Sequence, residues 1–147
     1  PEGQGQKVVA TLKKAIIDYL LSQSAVTDLV STRIRPGVIE QGLARPHLRV
    51  SQTGSDVHYA MTGNTGLGET FIEITCEGDT EKEAADLAEV VRKEVDGYSG
   101  TWGTVSIKAS FWRGTRDTRT APPGGGEVGL PSQTIAVEVF HAVTVPS

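Results

Sequence analysis

The stretch "TFIEITCEGDTEKEAADLAEVVRKEVDG", residues 70–97, decides the fold because a strand pattern passes within a few residues into a helix pattern. In its first part Ile72, Ile74 and Cys76 alternate with other residues. This alternation places the three side chains on one face of a strand. We therefore expect the strand to bury that face against a second layer, with Cys76 as a small buried hydrophobic residue rather than a reactive thiol.

The second part of the stretch predicts a helix with defined ends. Thr80 and Glu83 have the spacing of a capping box, in which each side chain satisfies a free backbone N–H at the helix start. Gly97 provides the left-handed residue that ends many helices. Between these ends runs an apolar stripe at helical spacing, formed by Ala84, Leu87, Ala88, Val91 and Val95.

Acidic residues crowd the same segment. They are Glu77, Asp79, Glu81, Glu83, Asp86 and Glu89. Acidic residues in the first turn of a helix complement its dipole. We interpret the segment as a solvated outer face, with an acidic docking surface as the alternative.

The residues before this stretch predict a further helix. Its apolar side chains recur at helical spacing from about Lys7, and they are Val9, Leu12, Ile16 and Leu20. Residues 25–30 add one or two further turns. Residues 1–6 are polar and contain glycine, so we expect them to form a flexible N-terminal arm.

Four other segments have strand patterns: residues 47–52, 56–62, 104–113 and 133–145. In the third, the alternation puts Val105, Ile107, Ala109 and Phe111 on one face. In the fourth, it puts Ile135, Val137, Val139 and His141 on one face. Strands that are grouped, rather than alternating with helices, predict an α+β fold. We expect two helices packed on a mainly antiparallel β-sheet, in the order α-β-β-β-α-β-β, within a single domain over residues 1–147.

The composition argues against several classes of protein. With a net charge of −4, the chain lacks the basic surplus of a general nucleic-acid binder. A single cysteine excludes an internal disulfide and fits a protein made in a reducing compartment. The apolar runs are only a few residues long, so we expect no membrane partner.

No segment has the pattern of a catalytic, phosphate or metal site. The glycines of "GNTGLG", residues 63–68, precede Glu69 and a strand, whereas a P-loop needs a lysine and a helix. We expect these glycines at a flexible hairpin tip. His47, His58 and His141 lie far apart in sequence without partners at metal-binding spacing. We therefore predict no metal, no cofactor and no catalytic residue.

Basic residues are concentrated in "WRGTRDTRT", residues 112–120. There Arg113, Arg116 and Arg119 make a local positive island in an acidic protein. Three interpretations remain open: a solvated strand end with Asp117 as the partner, an inter-subunit salt-bridge surface, and a rim that contacts phosphate.

Two long runs, residues 26–55 and 71–107, resemble a known family. The first run has the family's spacing of leucine, glycine and proline before the first core strand. The second has its strand, its alanine-rich helix and its "LDGY-G" residues, here "VDGYSG" at residues 95–100. With a final strand after a variable loop, the chain resembles the tail-completion proteins of long-tailed bacteriophages, also called tail-terminator or head-to-tail joining proteins. The resemblance covers roughly residues 7–143.

The resemblance implies a structural protein of the virion and not an enzyme, since the family has no catalytic residues to carry over. It implies a homo-oligomeric ring, usually a hexamer, that closes the head-proximal end of the tail tube in the neck. The implied partners are the tail tube protein and the head connector, and the implied assembly site is the cytoplasm of the host bacterium. Because DNA passes through the lumen of such a ring, a few arginines could contact phosphates.

The glycine- and proline-rich loop at residues 113–131 looks longer than the connection typical of the family. A ring needs heterologous contacts, and glycine-rich segments can fold onto a partner at an entropic cost. We expect this loop and the hairpin tip at residues 59–69 to be mobile in the monomer and ordered in the assembly. The candidate interface residues are Arg113, Arg116, Asp117, Arg119, Gly124, Gly125, Gly126, Glu127, Leu130, Tyr59, Met61, Asn64 and Leu67.

Other classes of function remain open. A small-ligand or peptide-binding α+β module would have a concave apolar pocket and a stable monomer. An enzyme would need a convergent polar site. Within the leading class, a neighbouring neck or minor-tail protein is the alternative to a tail terminator.

Overall fold

The computed structural model of the protein describes residues 4–37, 42–60, 63–102, 105–120 and 130–142. These residues form three helices and six strands. In chain order they are α1 (Gln4–Leu21), α2 (Ser24–Val30), β1 (Ile34–Pro36), β2 (His47–Ala60), β3 (Gly63–Glu77), α3 (Glu81–Val95), β4 (Gly100–Trp102), β5 (Val105–Thr120) and β6 (Leu130–Ala142). The α+β class is confirmed, but the predicted count of two helices and five strands is wrong.

The first helix begins earlier than its apolar pattern indicates. It starts at Gln4, so residues 4–6 are helical rather than part of an arm, and residues 1–3 lie outside the described residues. Leu12, Ile16 and Leu20 are buried, as the stripe predicts. The further turns expected after it form α2, a separate helix that follows a short break.

The ends of α3 confirm the capping box and the glycine stop. The side chain of Thr80 accepts a hydrogen bond of 3.1 Å from the backbone N–H of Glu83. The Glu83 carboxylate in turn accepts one of 2.8 Å from the N–H of Asp79, one residue before the cap. Gly97 has a φ of +71°, the left-handed conformation that a residue with a side chain resists. The whole predicted apolar stripe is buried.

The strands form one mixed sheet in the order β1-β2-β3-β6-β5-β4. The pair β1–β2 is parallel, whereas the other four pairs among the described strands are antiparallel. The short edge strands β1 and β4 were not predicted. Each has only three residues, which is too few for an alternation to be recognised.

The two strands expected at residues 47–52 and 56–62 are one strand, β2. A bulge between Gln52 and Gly54 lets the chain continue through the glycine without a turn. The predicted hairpin over residues 59–69 is present, since Ala60 pairs with Gly63, but its tip is shorter than predicted because the glycine run belongs to β3. Three of the candidate interface residues therefore lie within paired strands: Tyr59, Asn64 and Leu67. A fourth candidate, Met61, lies outside the described residues.

In the long loop expected at residues 113–131, the residues that the structure describes are strand, and residues 121–129 lie outside the described residues. β5 continues to Thr120 and β6 begins at Leu130, paired with each other to their ends. The candidates Arg113, Arg116, Asp117, Arg119 and Leu130 thus lie in this hairpin. Gly124, Gly125, Gly126 and Glu127 lie outside the described residues. The sequence does not predict this part of β5, because its residues are polar or charged and give the strand no apolar face.

The sequence predicts that Val105, Ile107, Ala109 and Phe111 share one face of β5, but in the structure they do not. A bulge between Ile107 and Ala109 shifts the alternation by one residue. As a result Ser110 is buried, while Phe111 is 39% exposed. β6 has no such shift against β3, and its predicted inner face is fully buried.

All three helices pack on one face of the sheet, and the core lies between these layers. Cys76 is fully buried there, as predicted, and burial raises the pKa of its thiol far above its usual range. We call the opposite side of the sheet the open face, because no helix of the described residues lies on it. It carries the side chains that alternate with the core residues of β2, β3, β5 and β6.

Candidate functional site

The arginines of the predicted positive island lie on the open face and have carboxylate partners. The Nε of Arg113 donates a hydrogen bond of 2.9 Å to Glu138 on β6. Arg116 donates one of 3.0 Å to Glu73 on β3. Asp117, which we expected to pair with an arginine, instead accepts a hydrogen bond of 2.8 Å from Gln133. The side chain of Arg119 is not among those the structure describes.

These ion pairs change the electrostatic character of the site. A hydrogen bond with Glu69, and then one from Arg113, lower the pKa of Glu138 below its ordinary value. The carboxylate therefore stays ionised beside the guanidinium. Because Glu73 and Glu138 balance Arg116 and Arg113, this part of the face is not a positive surface. The geometry weighs against the phosphate-rim interpretation.

A buried polar cluster lies at one end of the open face. Glu77, which we expected on an acidic outer surface, is only 2% exposed, so that part of the prediction is wrong. It lies opposite His47 in the β2–β3 pairing, and the two side chains are 3.1 Å apart. The ring of His47 also lies 3.1 Å from the carbonyl oxygen of Ala44. This cluster fixes the chain that leads into β2.

His141 is a satisfied histidine of the sheet, as predicted. Its Nδ1 lies 3.1 Å from the carbonyl oxygen of Ala142, so this nitrogen carries the proton and donates. Its Nε2 then accepts from the hydroxyl of Thr70 at 2.7 Å. Burial lowers the pKa of His141. Among the residues that the structure describes, no group of three metal-binding side chains comes together.

The strongest exposed feature is a pair of adjacent aromatic residues on β5. Trp112, 38% exposed, lies on the helix side, where the guanidinium of Arg92 is 5.2 Å from its ring centre. Phe111 lies on the open face, where Arg113 is 5.5 Å from its ring centre and Phe140 packs edge-on. Large aromatic residues with arginine neighbours are common at the energetic centres of interfaces.

We did not predict these aromatic residues as site residues. The sequence does contain a usable signal. Adjacent side chains of a strand point to opposite faces, so when two neighbouring residues are both large and aromatic, one of them must face away from the core. The bulge after Ile107 and the end of α3 expose part of both.

Beside these aromatic residues, the backbone of β5 has no neighbouring strand on one side among the described residues. β4 pairs only with residues 105–107, and β6 lies on the other side of β5. Asp96 and Gly97 cover the start of this free side, through bonds with Trp112 N–H and with the carbonyl of Ser110. We call the rest the β5 edge and define it as residues 115–119.

The other long edge of the sheet is similar. β1 pairs with β2 only at residues 48–50, and no other described strand lies on that side of β2. We call the following residues, 52–57, the β2 edge. Among the described strands, the sheet thus has an edge with unpaired backbone groups on each side, and the two edges differ in sequence.

A shallow groove lies elsewhere, between α2 and the start of α3. It has a volume of about 320 Å³ and is lined by Leu29, Pro46, Thr80, Lys82, Glu83, Asp86 and Leu87. Its lining is mixed, with three charged residues and three apolar ones, and Lys82 is already bonded to Asp86 at 2.8 Å. The groove is open to solvent rather than enclosed, whereas a small-ligand site usually buries most of its ligand. No described helix is long and apolar enough to cross a membrane.

Comparisons with known proteins identify the family. No curated protein sequence matches the chain. A solved structure that matches is a chain from the virion of a native gene transfer agent (GTA) particle, with a TM-score of 0.65 and 16% identity over 89% of this chain and 94% of that chain. At this identity the likeness shows a shared fold. The family profile of tail completion protein gp17 matches residues 14–124, which include all the elements from α2 to β5, and the protein therefore belongs to the tail completion protein gp17 family.

Proposed function

We propose that the protein is a structural component of a phage-type virion that forms a ring at the head-proximal end of the tail tube. The ring, most simply a hexamer, ends polymerisation of the tube and joins the tail to the head connector. The observation that carries this proposal is membership of the tail completion family over most of the chain. The shared fold with a chain of a GTA virion supports it.

The proposed mechanism is geometric and includes no reaction or cofactor. One side of the ring binds the last ring of tube protein, and the other presents a surface that tube subunits do not extend but the connector binds. In keeping with this, the polar groups most apt for chemistry are engaged inside the fold. Cys76 lies in the core, His141 is bonded to Thr70, and His47 faces Glu77.

The proposed location is the tail neck of the virion, with assembly in the cytoplasm of the host bacterium. DNA then passes through the lumen of the ring. We propose that its contacts with the ring are non-specific, since Arg113 and Arg116 already have carboxylate partners. The overall charge of −4 also limits attraction to phosphate.

Electron microscopy of particles made with and without the protein tests this role. We expect a ring at the head-proximal end of normal tails, and overlong or headless tails when the protein is missing. Tails of normal length that join heads without the protein would overturn the proposal. Normal tube length together with unjoined heads would instead indicate a neighbouring neck protein.

A further inference from the structure

The hydrogen-bonding directions along β5 can be read from its partners. Successive residues of a strand direct their backbone groups to opposite sides. The carbonyl of Val50 bonds to Gly37 outside the β2–β3 pair, so the alternation carried across β3 and β6 directs the backbone groups of the even-numbered residues of β6 towards β5. The hydrogen-bonded partners on β5 are then Arg116, opposite Thr134, and Thr118, opposite Ser132. The residues between these on β5 direct their N–H and C=O groups outward; they are Thr115, Asp117 and Arg119.

The same alternation fixes the directions along β2. The carbonyl of Val50 accepts a hydrogen bond from the N–H of Gly37 on the side of β1. The backbone groups of Val50 therefore point away from β3, while its side chain is buried. After the bulge that follows Gln52, the register with β3 directs the backbone N–H and C=O groups of Ser55 and Val57 away from β3 as well. Both edges thus offer an uninterrupted stretch of backbone donors and acceptors beyond their bulges.

Unpaired edges promote association, and proteins usually guard them with charge, proline or bulges. The sequence of the β5 edge contains Arg116, Asp117 and Arg119, of which Arg116 is paired with Glu73 on the open face. The β2 edge, residues 52–57, has neither lysine, arginine nor proline, and its one charge is Asp56. By sequence the β5 edge has one more positive than negative residue, and the β2 edge has one negative residue, so the net charges of the two edges are small and opposite in sign.

The strand directions are also compatible. β2, β3, β6 and β5 are antiparallel in succession, so β5 runs opposite to β2. A rotation about an axis along the strands preserves direction, so β2 of a neighbouring copy meets β5 as an antiparallel partner. Contacts between two different patches of identical copies close into a ring when the rotation closes.

We propose that the β5 edge of one copy pairs with the β2 edge of the next copy, so that the sheet continues around the ring. The occupant of each edge is thus a second copy of this chain. This inference rests on the proposed ring and names the surfaces that build it. Trp112 and Phe111 lie beside the junction on its two faces, where they seal the added strand from water.

Cross-linking in assembled tails tests the pairing directly. Thr53 and Asp117 are exposed, and the native Cys76 is buried, so a short bis-maleimide reacts with introduced cysteines alone. We expect the double variant Thr53→Cys/Asp117→Cys to give a ladder of covalent multimers, while each single variant gives none. The control double variant Lys82→Cys/Asp117→Cys places one thiol on α3, away from both edges, and should stay monomeric.

The outcomes separate this inference from the proposed function. Variant protein that is present in tails but forms no ladder would overturn the edge pairing and leave the tail role intact. Dimers from a single variant would also overturn it, because they require two like edges to meet. Absence of the wild-type protein from tails would overturn the proposed function itself.

A proline variant tests the backbone contact without cross-linking. Asp117→Pro removes an outward N–H, whereas Asp117→Ala removes the same side chain and keeps that N–H. We expect the proline variant to fold, to lose its place in the tail, and to give overlong tails, while the alanine variant assembles normally. Equal assembly of the two variants would contradict the pairing; urea unfolding of both confirms that the fold is intact.

Discussion

At the scale of single residues, the open face combines buried polar groups with surface ion pairs. Glu77 is 2% exposed, and one of its carboxylate oxygens lies close to His47. Its other oxygen lies 3.9 Å from the Nε of Arg49. Glu73, on the same strand, is more exposed and pairs with Arg116. A buried group that loses its partner is left without water, whereas a surface group is not. The two glutamates should therefore differ greatly in their contributions to stability.

We expect Glu77→Ala to lower the free energy of unfolding by about 2–3 kcal/mol, because it leaves His47 and Arg49 without their buried partner. The matched variant Glu73→Ala should cost at most about 1 kcal/mol, since it removes a surface pair. Urea denaturation at pH 7 measures both. Equal losses in the two variants would show that the burial of Glu77 has no energetic importance.

His141 should make stability depend on pH. Burial lowers its pKa below the ordinary value of 6.5, so below pH 6.5 the unfolded chain binds a proton that the folded chain does not. Stability therefore falls as the pH drops from 7 towards 5, by at most about 1.4 kcal/mol per pH unit from this group.

The variant His141→Gln should lose this part of the pH dependence in urea denaturation at pH 7, 6 and 5. Between pH 8 and pH 7 the unfolded chain takes up only a small fraction of this proton, so the variant and the wild type should change almost equally there. Equal changes below pH 6.5 as well would contradict the assignment.

At the scale of elements, regularity differs between the centre and the sides of the sheet. The central strands β3 and β6 pair without a register shift. The flanking strands β2 and β5 each have two shifts relative to their inner neighbours. Bulges bend a strand and increase its twist. The centre therefore provides a fixed frame, and the flanking strands set the direction in which each edge points.

Hydrogen exchange should reveal the two sides of β5. In the free chain we expect fast exchange at Thr115 and Asp117, whose N–H groups point outward, and slow exchange at Arg116 and Thr118, which pair with β6. In assembled tails the first two should become slow and the others should change little. Unchanged exchange at Thr115 and Asp117 would contradict an added strand at this edge.

The sequence predicts well those elements whose side chains alternate between a core and solvent. This holds for α3, with its cap at Thr80, and for β6 from Ile135 to His141. It fails where a strand has no apolar face, as in β5 beyond Arg113, and where glycine interrupts β2 at Gly54. In these places the pairing partner holds the strand, and local preference does not reveal that partner.

The candidate site was predicted only in part, for the same reason. The arginines at 113 and 116 were recognised as a cluster, but their partners Glu138 and Glu73 come from β6 and β3. These contacts join residues far apart in sequence and depend on strand register. The exposed pair Phe111 and Trp112 depends on a single bulge, which shifts the alternation by one residue.

At the scale of the whole molecule, the described residues form a sheet with one helix-covered face, one polar face and two edges without a full-length neighbouring strand. The covered face provides the stability of the single copy. Under the proposed function, the edges and the polar face make the contacts between copies and with other tail components. This division is suited to a protein whose role is to occupy a place in an assembly.

The strand order also has a consequence for how a copy folds. The hairpins β2–β3 and β5–β6 each join neighbouring parts of the chain, whereas the central pairing of β3 with β6 joins distant ones. Local hairpins form within microseconds, but long-range pairing must overcome a larger loop-closure entropy and is slower. Until the two hairpins dock, β3 and β6 expose the straight, unbulged edges that any other nascent copy can bind. We therefore expect newly made chains to be most at risk of aggregation before the hairpins dock.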